Sequence, residues 1–139
     1  MKLPTIKNNP QVVRFIIVGL ANTAIDFGLL FTGKSLGLPI VIANVISTGA
    51  AFIFSFVANR KYTFKSTDSN VFREVVLFVI VTLFGLWVLQ TLIIQLVFPL
   101  VQSLVSKTDV ALLIAKLIAT VVSLTWNYLL YSRLVFKKQ

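Results

Sequence analysis

The chain has 139 residues, of which 58% are hydrophobic, and its formal net charge at pH 7 is +9. A soluble domain of this size cannot bury so much apolar surface, since only about half of an average soluble domain is apolar. The sequence contains no cysteine and no histidine, which excludes disulfides, thiol redox chemistry and the commonest zinc and haem ligands. These properties predict a membrane protein.

Four apolar segments are long enough to cross about 30 Å of hydrocarbon, which takes roughly 20 residues of helix. They cover approximately residues 12–32, 39–59, 75–98 and 110–131. A cleaved signal peptide is a poor interpretation of the first segment, because it is longer than a signal h-region and Asp26 suits no cleavage site. We therefore predict an all-α, polytopic fold with one transmembrane domain over residues 1–139, built as two tandem helical hairpins.

The stretch GLANTAID, residues 19–26, places a carboxylate inside the first helix. A charged side chain in hydrocarbon costs roughly 3 kcal/mol or more, so an embedded aspartate is expected to be paired or functional. Gly19, Asn22 and Asp26 are spaced by three and by four residues and share one helix face. The spacing predicts a polar seam that contains Asp26.

Asp26 lies about six residues before the predicted end of its helix, and Lys116 lies about six residues after the start of the fourth helix. At 1.5 Å per residue, both are expected about 9 Å beneath the outer surface. Opposite charges at equal depth can pair and merely set the helix register. Alternatively, Lys116 binds an anion or a sugar headgroup while Asp26 accepts hydroxyl hydrogen bonds. Snorkelling of Lys116 toward the outer headgroups is a third interpretation.

The second and fourth helices correspond after a shift of 72 residues, which aligns residues 43–65 with residues 115–137. Two polar sets match: Asn44, Thr48, Ala51, Ser55 and Asn59, and Lys116, Thr120, Ser123, Asn127 and Tyr131. Each set lies on one helix face, which is expected to turn inward from the lipid. The first and third helices match more weakly, at Arg14 with Arg73 and at Thr23 with Thr82. Because each hairpin returns to its starting side, the pattern predicts a parallel repeat.

Basic residues concentrate on one side of the predicted membrane. That side carries Lys2, Lys7, Arg14, Arg60, Lys61, Lys65, Arg73, Arg133, Lys137 and Lys138. The opposite loops carry only Lys34 and Lys107. Short loops rich in Lys and Arg stay in the cytoplasm, so a multi-pass protein of the cell membrane with two cytoplasmic termini is predicted. Nucleic-acid binding is a poor explanation of the charge, because the basic residues follow the helix ends.

Three segments of the chain resemble the GtrA-like family, small four-helix membrane proteins of polysaccharide, teichoic-acid and O-antigen glycosylation. These segments are RFIIVGLANTAIDFGLL, SFVANRKYTF and AKLIATVVSLTWNYLLYSRLVF. The resemblance covers nearly the whole chain, from about residue 12 to residue 136. The sequence departs from the family pattern at the close of the fourth helix, where Tyr131-Ser132-Arg133 stands in place of the Asn-Arg pair that many relatives repeat.

The resemblance implies translocation of a polyprenyl-phosphate-linked sugar, such as undecaprenyl phosphate glucose, for cell-surface polysaccharide glycosylation. Residues expected to bind the phosphate on the cytoplasmic side are Arg14, Arg60, Lys61, Arg73 and Arg133. Arginine can bind phosphate bidentately and lysine supplies a mobile point charge, although positive-inside topology alone would also place these residues here. The expected sugar path comprises Asn22, Asp26, Asn44, Ser55, Asn59, Lys116, Thr120, Ser123 and Asn127.

Two other functions are compatible with the sequence. The first is a non-transporting membrane subunit that recruits or stabilises a polyprenyl glycosyltransferase, and the second is a small proton-coupled exporter that uses Asp26. Enzymatic activity is not expected, because a Ser-His-Asp triad needs histidine, no P-loop is present, and Asp68, Glu74 and Asp109 occupy loops or helix ends. No cofactor is expected. The expected partners are the sugar lipid, membrane lipids and a second copy of the chain, because four short helices enclose little volume.

Overall fold

The computed structural model describes residues 9–136, so the predicted topogenic residues Lys2, Lys7, Lys137 and Lys138 lie outside the described range. Within that range the chain is helical and contains no strand. The helices are α1 (Pro10–Ser35), α2 (Ile40–Ala58), α3 (Val71–Leu83), α4 (Gln90–Leu104) and α5 (Thr108–Leu130). One-turn π-helical segments follow α2 at Asn59–Thr63, join α3 to α4 at Phe84–Leu89 and follow α5 at Tyr131–Val135.

Counting the π-helical segments, four continuous helices are long and apolar enough to cross a membrane. They are Pro10–Ser35, Ile40–Thr63, Val71–Leu104 and Thr108–Val135. Many large apolar side chains on them are exposed, as Trp87 is at 70% and Leu96 at 67%, which is unfavourable in water but suits a hydrocarbon surrounding. The predicted all-α architecture with four membrane-spanning helices is confirmed, and the chain is a multi-pass membrane protein.

The helix ends extend beyond the predicted apolar segments because local capping, and not hydropathy, determines where a helix begins. α1 begins at Pro10, since the side-chain oxygen of Asn9 accepts a hydrogen bond from the Gln11 amide at 3.0 Å. α3 begins at Val71 rather than near residue 75, since Asn70 caps it through the Arg73 amide at 3.0 Å. The turn between α1 and α2 depends on Gly37, whose φ of +87° favours glycine.

The chain forms two compact units, whose described parts are residues 9–68 and 69–136. In the first unit, α1 packs against α2 through small residues. Ala43, Ser47 and Ala51 are at most 3% exposed and recur every four residues along α2. Gly33 of α1 lies so close that a Cβ there would be 3.1 Å from the Cβ of Ala43. Small residues allow this close approach of two backbones in lipid.

In the second unit, α5 packs against α4. Along α5, Ala111, Ala115 and Ala119 recur every four residues and are fully buried. α3 contacts the π-helical segment after α5. There the ring of Phe78 stacks on that of Tyr131, with centroids 4.8 Å apart, and the hydroxyls of Thr82 and Tyr131 form a hydrogen bond. Aromatic stacking and one interhelical hydrogen bond therefore join the start of this hairpin to its end.

The two units share local features at an offset of 72 residues. The segments Asn59–Thr63 and Tyr131–Val135 are both π-helical, and each is followed by a buried phenylalanine whose amide donates at 2.8 Å to the carbonyl five residues earlier. The buried positions Ala43, Ser47 and Ala51 correspond to Ala115, Ala119 and Ser123. These correspondences support the predicted tandem repeat, and its parallel arrangement stays a prediction.

Candidate functional site

The basic end of the first hairpin is organised around an arginine in a cation–π contact with an aromatic ring. The guanidinium carbon of Arg14 lies 5.4 Å from the ring centroid of Tyr62, a distance at which a cation is attracted by the ring. Next to this contact, the rings of Phe15 and Phe64 pack with centroids 6.2 Å apart. Because Phe64 is 1% exposed, it anchors the π-helical segment against α1.

Arg60 and Lys61 are the other two predicted phosphate-binding residues of this hairpin, and their contacts differ. Nη2 of Arg60 donates a hydrogen bond of 2.8 Å to the carbonyl oxygen of Asp68. Lys61 is exposed. Arg60 therefore links the π-helical segment to the loop that follows it, whereas Lys61 projects outward from the chain.

A buried asparagine follows directly on the membrane side of these basic residues. Asn59 is 2% exposed, and its Nδ2 donates to the carbonyl oxygen of Ser55 at 2.9 Å and to the Ser55 hydroxyl at 3.3 Å. Its Oδ1 is buried and accepts no hydrogen bond, and the same holds for Oγ1 of Thr63. Unpaired buried acceptors are costly, so this end of the hairpin retains capacity to accept hydrogen bonds.

Farther along the hairpin, Asp26 of α1 faces Thr48 of α2. The Thr48 hydroxyl donates to Oδ1 of Asp26 at 3.5 Å, which is long for a hydrogen bond of this kind. Asp26 accepts no other hydrogen bond from a described residue, although an ionised carboxylate has about four acceptor positions. Asn22, one turn earlier, also has a buried Oδ1 without a partner. The predicted seam of Asn22 and Asp26 is therefore polar, and most of its side-chain acceptor positions receive no hydrogen bond from the described residues.

Asn44 is exposed and lines an open groove with a volume of about 530 Å³ on α2. The groove is lined by Asn44, Val45, Thr48, Gly49, Phe52 and Ile53. Because all of these residues belong to α2, the feature is a surface groove and not an enclosed pocket.

In the second hairpin, the two predicted phosphate-binding residues, Arg73 and Arg133, also differ in their contacts. Nη2 of Arg73 donates a hydrogen bond of 2.8 Å to the carbonyl oxygen of Leu134, whereas Arg133 is exposed.

From the sequence, Glu74 is expected at a loop or helix end. The structure places it in the first turn of α3, where it is fully buried. This burial was not predicted from the sequence, and the signal that could have indicated it is an acid within the apolar run VFREVVLF, as for Asp26.

The predicted polar face of α5 divides into an outward and a buried part. Lys116 is exposed and Thr120 is half-buried, with its hydroxyl bonded at 2.8 Å to the Lys116 carbonyl oxygen. Ser123 and Asn127 are 2% and 7% exposed. The prediction that these faces turn inward is wrong for Lys116 of α5 and for Asn44 and Thr48 of α2, which are exposed. The reason is that the small residues one position earlier, Ala115, Ala43 and Ser47, are the ones buried in the helix contacts.

Gly85 faces the buried part of this polar face, and sequence reasoning did not select it. A Cβ at Gly85 would lie 2.8 Å from Oδ1 of Asn127 and 3.2 Å from Oγ of Ser123. Gly85 belongs to the π-helical segment between α3 and α4, and such insertions are frequent at functional sites. Thr82 and Gly85 are spaced by three residues in the otherwise apolar run 75–89, and this spacing could have identified them.

The predicted partners Asp26 and Lys116 belong to different units, and each is described within its own unit. Asp26 lies nine residues before the end of α1 at Ser35 and Lys116 eight residues after the start of α5 at Thr108. Along the helix axes these separations are about 14 and 12 Å, longer than the expected 9 Å because both helices extend farther. Their pairing stays a prediction.

Comparison with known proteins identifies a related family. The family model described as "GtrA/DPMS, transmembrane domain" matches residues 14–136, a range that includes every predicted site residue. The chain is also 28% identical over 116 residues to the "Uncharacterized membrane protein YngA" of Bacillus subtilis (strain 168). That alignment covers 84% of this chain and 72% of the relative. The resemblance found in the three sequence segments is confirmed.

Proposed function

This chain belongs to the GtrA/DPMS transmembrane-domain family, and we propose that it moves a polyprenyl-phosphate-linked sugar, such as undecaprenyl phosphate glucose, from the cytoplasmic to the outer leaflet of the cell membrane. Membership in this family fits a role in pathways that glycosylate with polyprenyl-phosphate sugars. The proposal places both chain termini in the cytoplasm and assigns the protein no catalytic step.

The observation that carries the proposal is the incompletely hydrogen-bonded polar series along the first hairpin. The series runs from Asn59 through Ser55 to Thr48, with Asp26 opposite on α1. Asn59 and Thr48 are eleven residues apart, or about 16 Å along the helix, which is roughly half of the hydrocarbon thickness. Free acceptors in this series can receive sugar hydroxyls while the polyprenyl tail stays in lipid.

The second hairpin offers a comparable series on α5. It contains Asn127 and Ser123, which are buried, and then Thr120 and Lys116 toward the opposite end. Oδ1 of Asn127 is buried without a hydrogen-bond partner. Polar groups inside membrane helices are costly and typically mark substrate or ion pathways, which supports a path for the sugar here as well.

The proposal assigns the phosphate to basic residues at one end of each hairpin, Arg14, Arg60, Lys61, Arg73 and Arg133. Arg14 contacts Tyr62 of the same hairpin, and Arg73 contacts Leu134 of its own hairpin. Within each unit, therefore, the start of the first helix and the end of the last lie together. Net movement follows the concentration gradient that consumption of the sugar lipid on the outer side maintains.

The test is transfer of labelled undecaprenyl phosphate glucose between leaflets of liposomes that contain the purified protein. We expect wild-type protein to accelerate transfer over empty liposomes and Asp26→Asn to slow it about tenfold, the effect of losing one hydrogen bond to a charged group. Asp109→Asn is the matched control, because Asp109 is an exposed aspartate in the first turn of α5. It should transfer at the wild-type rate.

Transfer no faster than in empty liposomes would contradict the proposal. That result would favour the alternative function, a membrane subunit that recruits or stabilises a polyprenyl glycosyltransferase. Co-purification of the protein with such an enzyme from native membranes would test this alternative. Equal transfer rates for Asp26→Asn and wild type at all pH values would show that Asp26 is not part of the path. The same result would contradict the proton-coupled exporter.

A further inference from the structure

We propose that Arg14 is the principal phosphate-binding arginine of this protein and that Tyr62 is the residue that positions it. This inference rests on the proposed function, since it specifies which basic side chain meets the phosphate of the lipid-linked sugar. Tyr62 lies in the segment SFVANRKYTF but is not one of the site residues predicted from the sequence. It becomes relevant only through its contact with Arg14 in the folded hairpin.

Arg14 is held in place without using its hydrogen-bond donors. Its guanidinium carbon lies over the Tyr62 ring, 5.4 Å from the centroid, and it donates no hydrogen bond to any residue within 9–136. The cation–π contact depends on the positive charge of the guanidinium and consumes none of its five N–H donors. A phosphate can therefore accept two parallel hydrogen bonds from Arg14 while the contact with Tyr62 persists.

The position of Arg14 is further restricted by its immediate neighbour. Phe15 packs on the buried Phe64, which closes the same π-helical segment that carries Tyr62. The contact sets the spacing between α1 and that segment, so the ring and the guanidinium meet without further adjustment. Such preorganisation lowers the entropic cost of binding a ligand.

Arg60 and Arg73 are suited to a different role. Each donates a hydrogen bond of 2.8 Å to a backbone carbonyl, from Arg60 to Asp68 and from Arg73 to Leu134. A phosphate that used these same N–H groups would leave a carbonyl without its donor. These arginines therefore stabilise the loop and the helix end, and they contribute charge to the phosphate rather than the bidentate contact.

The second hairpin has no aromatic residue at the position that corresponds to Tyr62. At the offset of 72 residues, Tyr62 corresponds to Leu134, which has no aromatic ring. Arg73 corresponds to Arg14 in the weaker match of the first and third helices, and its Nη2 donates a hydrogen bond to the backbone carbonyl oxygen of Leu134. The difference at this single position assigns the phosphate site to the first hairpin.

The experiment measures binding of radiolabelled undecaprenyl phosphate glucose to the full-length protein in phosphatidylcholine nanodiscs. Tyr62→Phe keeps the ring and Tyr62→Leu removes it, and neither should unfold the protein because Tyr62 is 47% exposed. Arg14→Gln removes the guanidinium. Lys65→Gln is its control, because it removes an equal charge from an exposed residue of the adjacent loop.

We expect Tyr62→Phe and Lys65→Gln to bind within about twofold of wild type. Tyr62→Leu should bind about threefold more weakly, as expected for an exposed cation–π contact, and Arg14→Gln about tenfold or more. Wild-type affinity for Tyr62→Leu would overturn the positioning role. Equal losses for Arg14→Gln and Lys65→Gln would overturn the site itself, since general charge would then explain binding.

Two competitors distinguish the source of the phosphate. Phosphatidylglycerol in the nanodisc and inorganic phosphate in solution should displace the label poorly, and displacement by either as effective as that by unlabelled substrate would overturn the assignment to the sugar lipid. The outcome is separable from that of the transfer assay. A protein that binds as expected without moving the lipid contradicts translocation alone, whereas normal transfer with unchanged binding in Arg14→Gln contradicts this inference alone.

Discussion

At the scale of single residues, small side chains determine how closely polar groups approach one another in the second hairpin. Gly85 is the clearest case, because a Cβ there would meet Asn127 Oδ1 at 2.8 Å, Ser123 Oγ at 3.2 Å and Trp126 Cδ1 at 3.3 Å. Three neighbours on one side leave little room for adjustment. The glycine is required by packing and not by its backbone conformation, since it lies in a continuous helix.

Gly85→Ala is therefore expected to destabilise the protein by about 1–3 kcal/mol, the usual cost of forcing a methyl group into a packed site. Thermal unfolding in detergent, followed by tryptophan fluorescence, measures this effect close to the site because Trp126 lines it. Gly28→Ala is the matched control, since a Cβ at Gly28 meets nothing within 4 Å. Equal melting temperatures for the two variants would show that Gly85 has free space.

At the scale of helices, the contact between α1 and α2 depends on a stripe of small residues and not on the polar face that the sequence suggested. Ser47 is fully buried in this stripe, and its hydroxyl bonds at 3.1 Å to the Asn44 carbonyl oxygen of its own helix. The hydroxyl therefore has its hydrogen-bond partner within α2 and makes no demand on α1. What the interface uses at this position is the small volume of the side chain.

Ser47→Leu should consequently separate α1 from α2 and lower the free energy of unfolding by about 1–3 kcal/mol. Ser47→Ala should be nearly neutral, because the corresponding residue in the second hairpin is the equally buried Ala119. Val45→Leu, at a position that is 66% exposed, controls for added volume alone. Circular dichroism during heating is the suitable measurement, since both tryptophans lie outside the first hairpin. A Ser47→Leu protein as stable as Val45→Leu would contradict the assigned interface.

At the scale of the whole molecule, the distribution of basic residues predicts the orientation in the membrane. The loop around Ser69 follows Arg60, Lys61 and Lys65, whereas the loop around Ser106 has Lys107 as its neighbouring basic residue. Short basic loops are retained in the cytoplasm. Both serines are exposed at the ends of described helices, so each can report its side of the membrane.

Because the protein has no cysteine, Ser69→Cys and Ser106→Cys each introduce a single thiol. A maleimide that does not cross membranes should label Ser106→Cys in intact cells and Ser69→Cys only after permeabilisation. The reverse pattern would place the termini outside and would move the proposed phosphate site to the outer leaflet. Labelling of both thiols in permeabilised cells controls for their reactivity.

The sequence predicted the candidate site unevenly. Asp26 and Asn22 were identifiable because a polar residue in an apolar run is conspicuous and the helical period assigns it to a face. Tyr62 and Gly85 were not identifiable, because an aromatic residue near a helix end and a glycine in a membrane helix are both common for other reasons. Their significance depends on Arg14 and Asn127, which the fold brings beside them from distant parts of the chain.

The sequence by itself determined the four membrane-spanning helices, the family and the 72-residue correspondence, because hydropathy, short motifs and periodicity are properties of consecutive residues. The buried side of the later turns of α2 and α5 was predicted, since Ala51, Ser123 and Asn127 are buried as expected. Only the tertiary structure decided which side of their earlier turns is buried. In α2 and α5 the buried stripe begins at Ala43 and Ala115 instead of Asn44 and Lys116, a rotation of one residue that periodicity cannot resolve, since both stripes have nearly the same spacing. The close packing of small residues favours the alanine side, and it leaves Asn44 and Lys116 exposed.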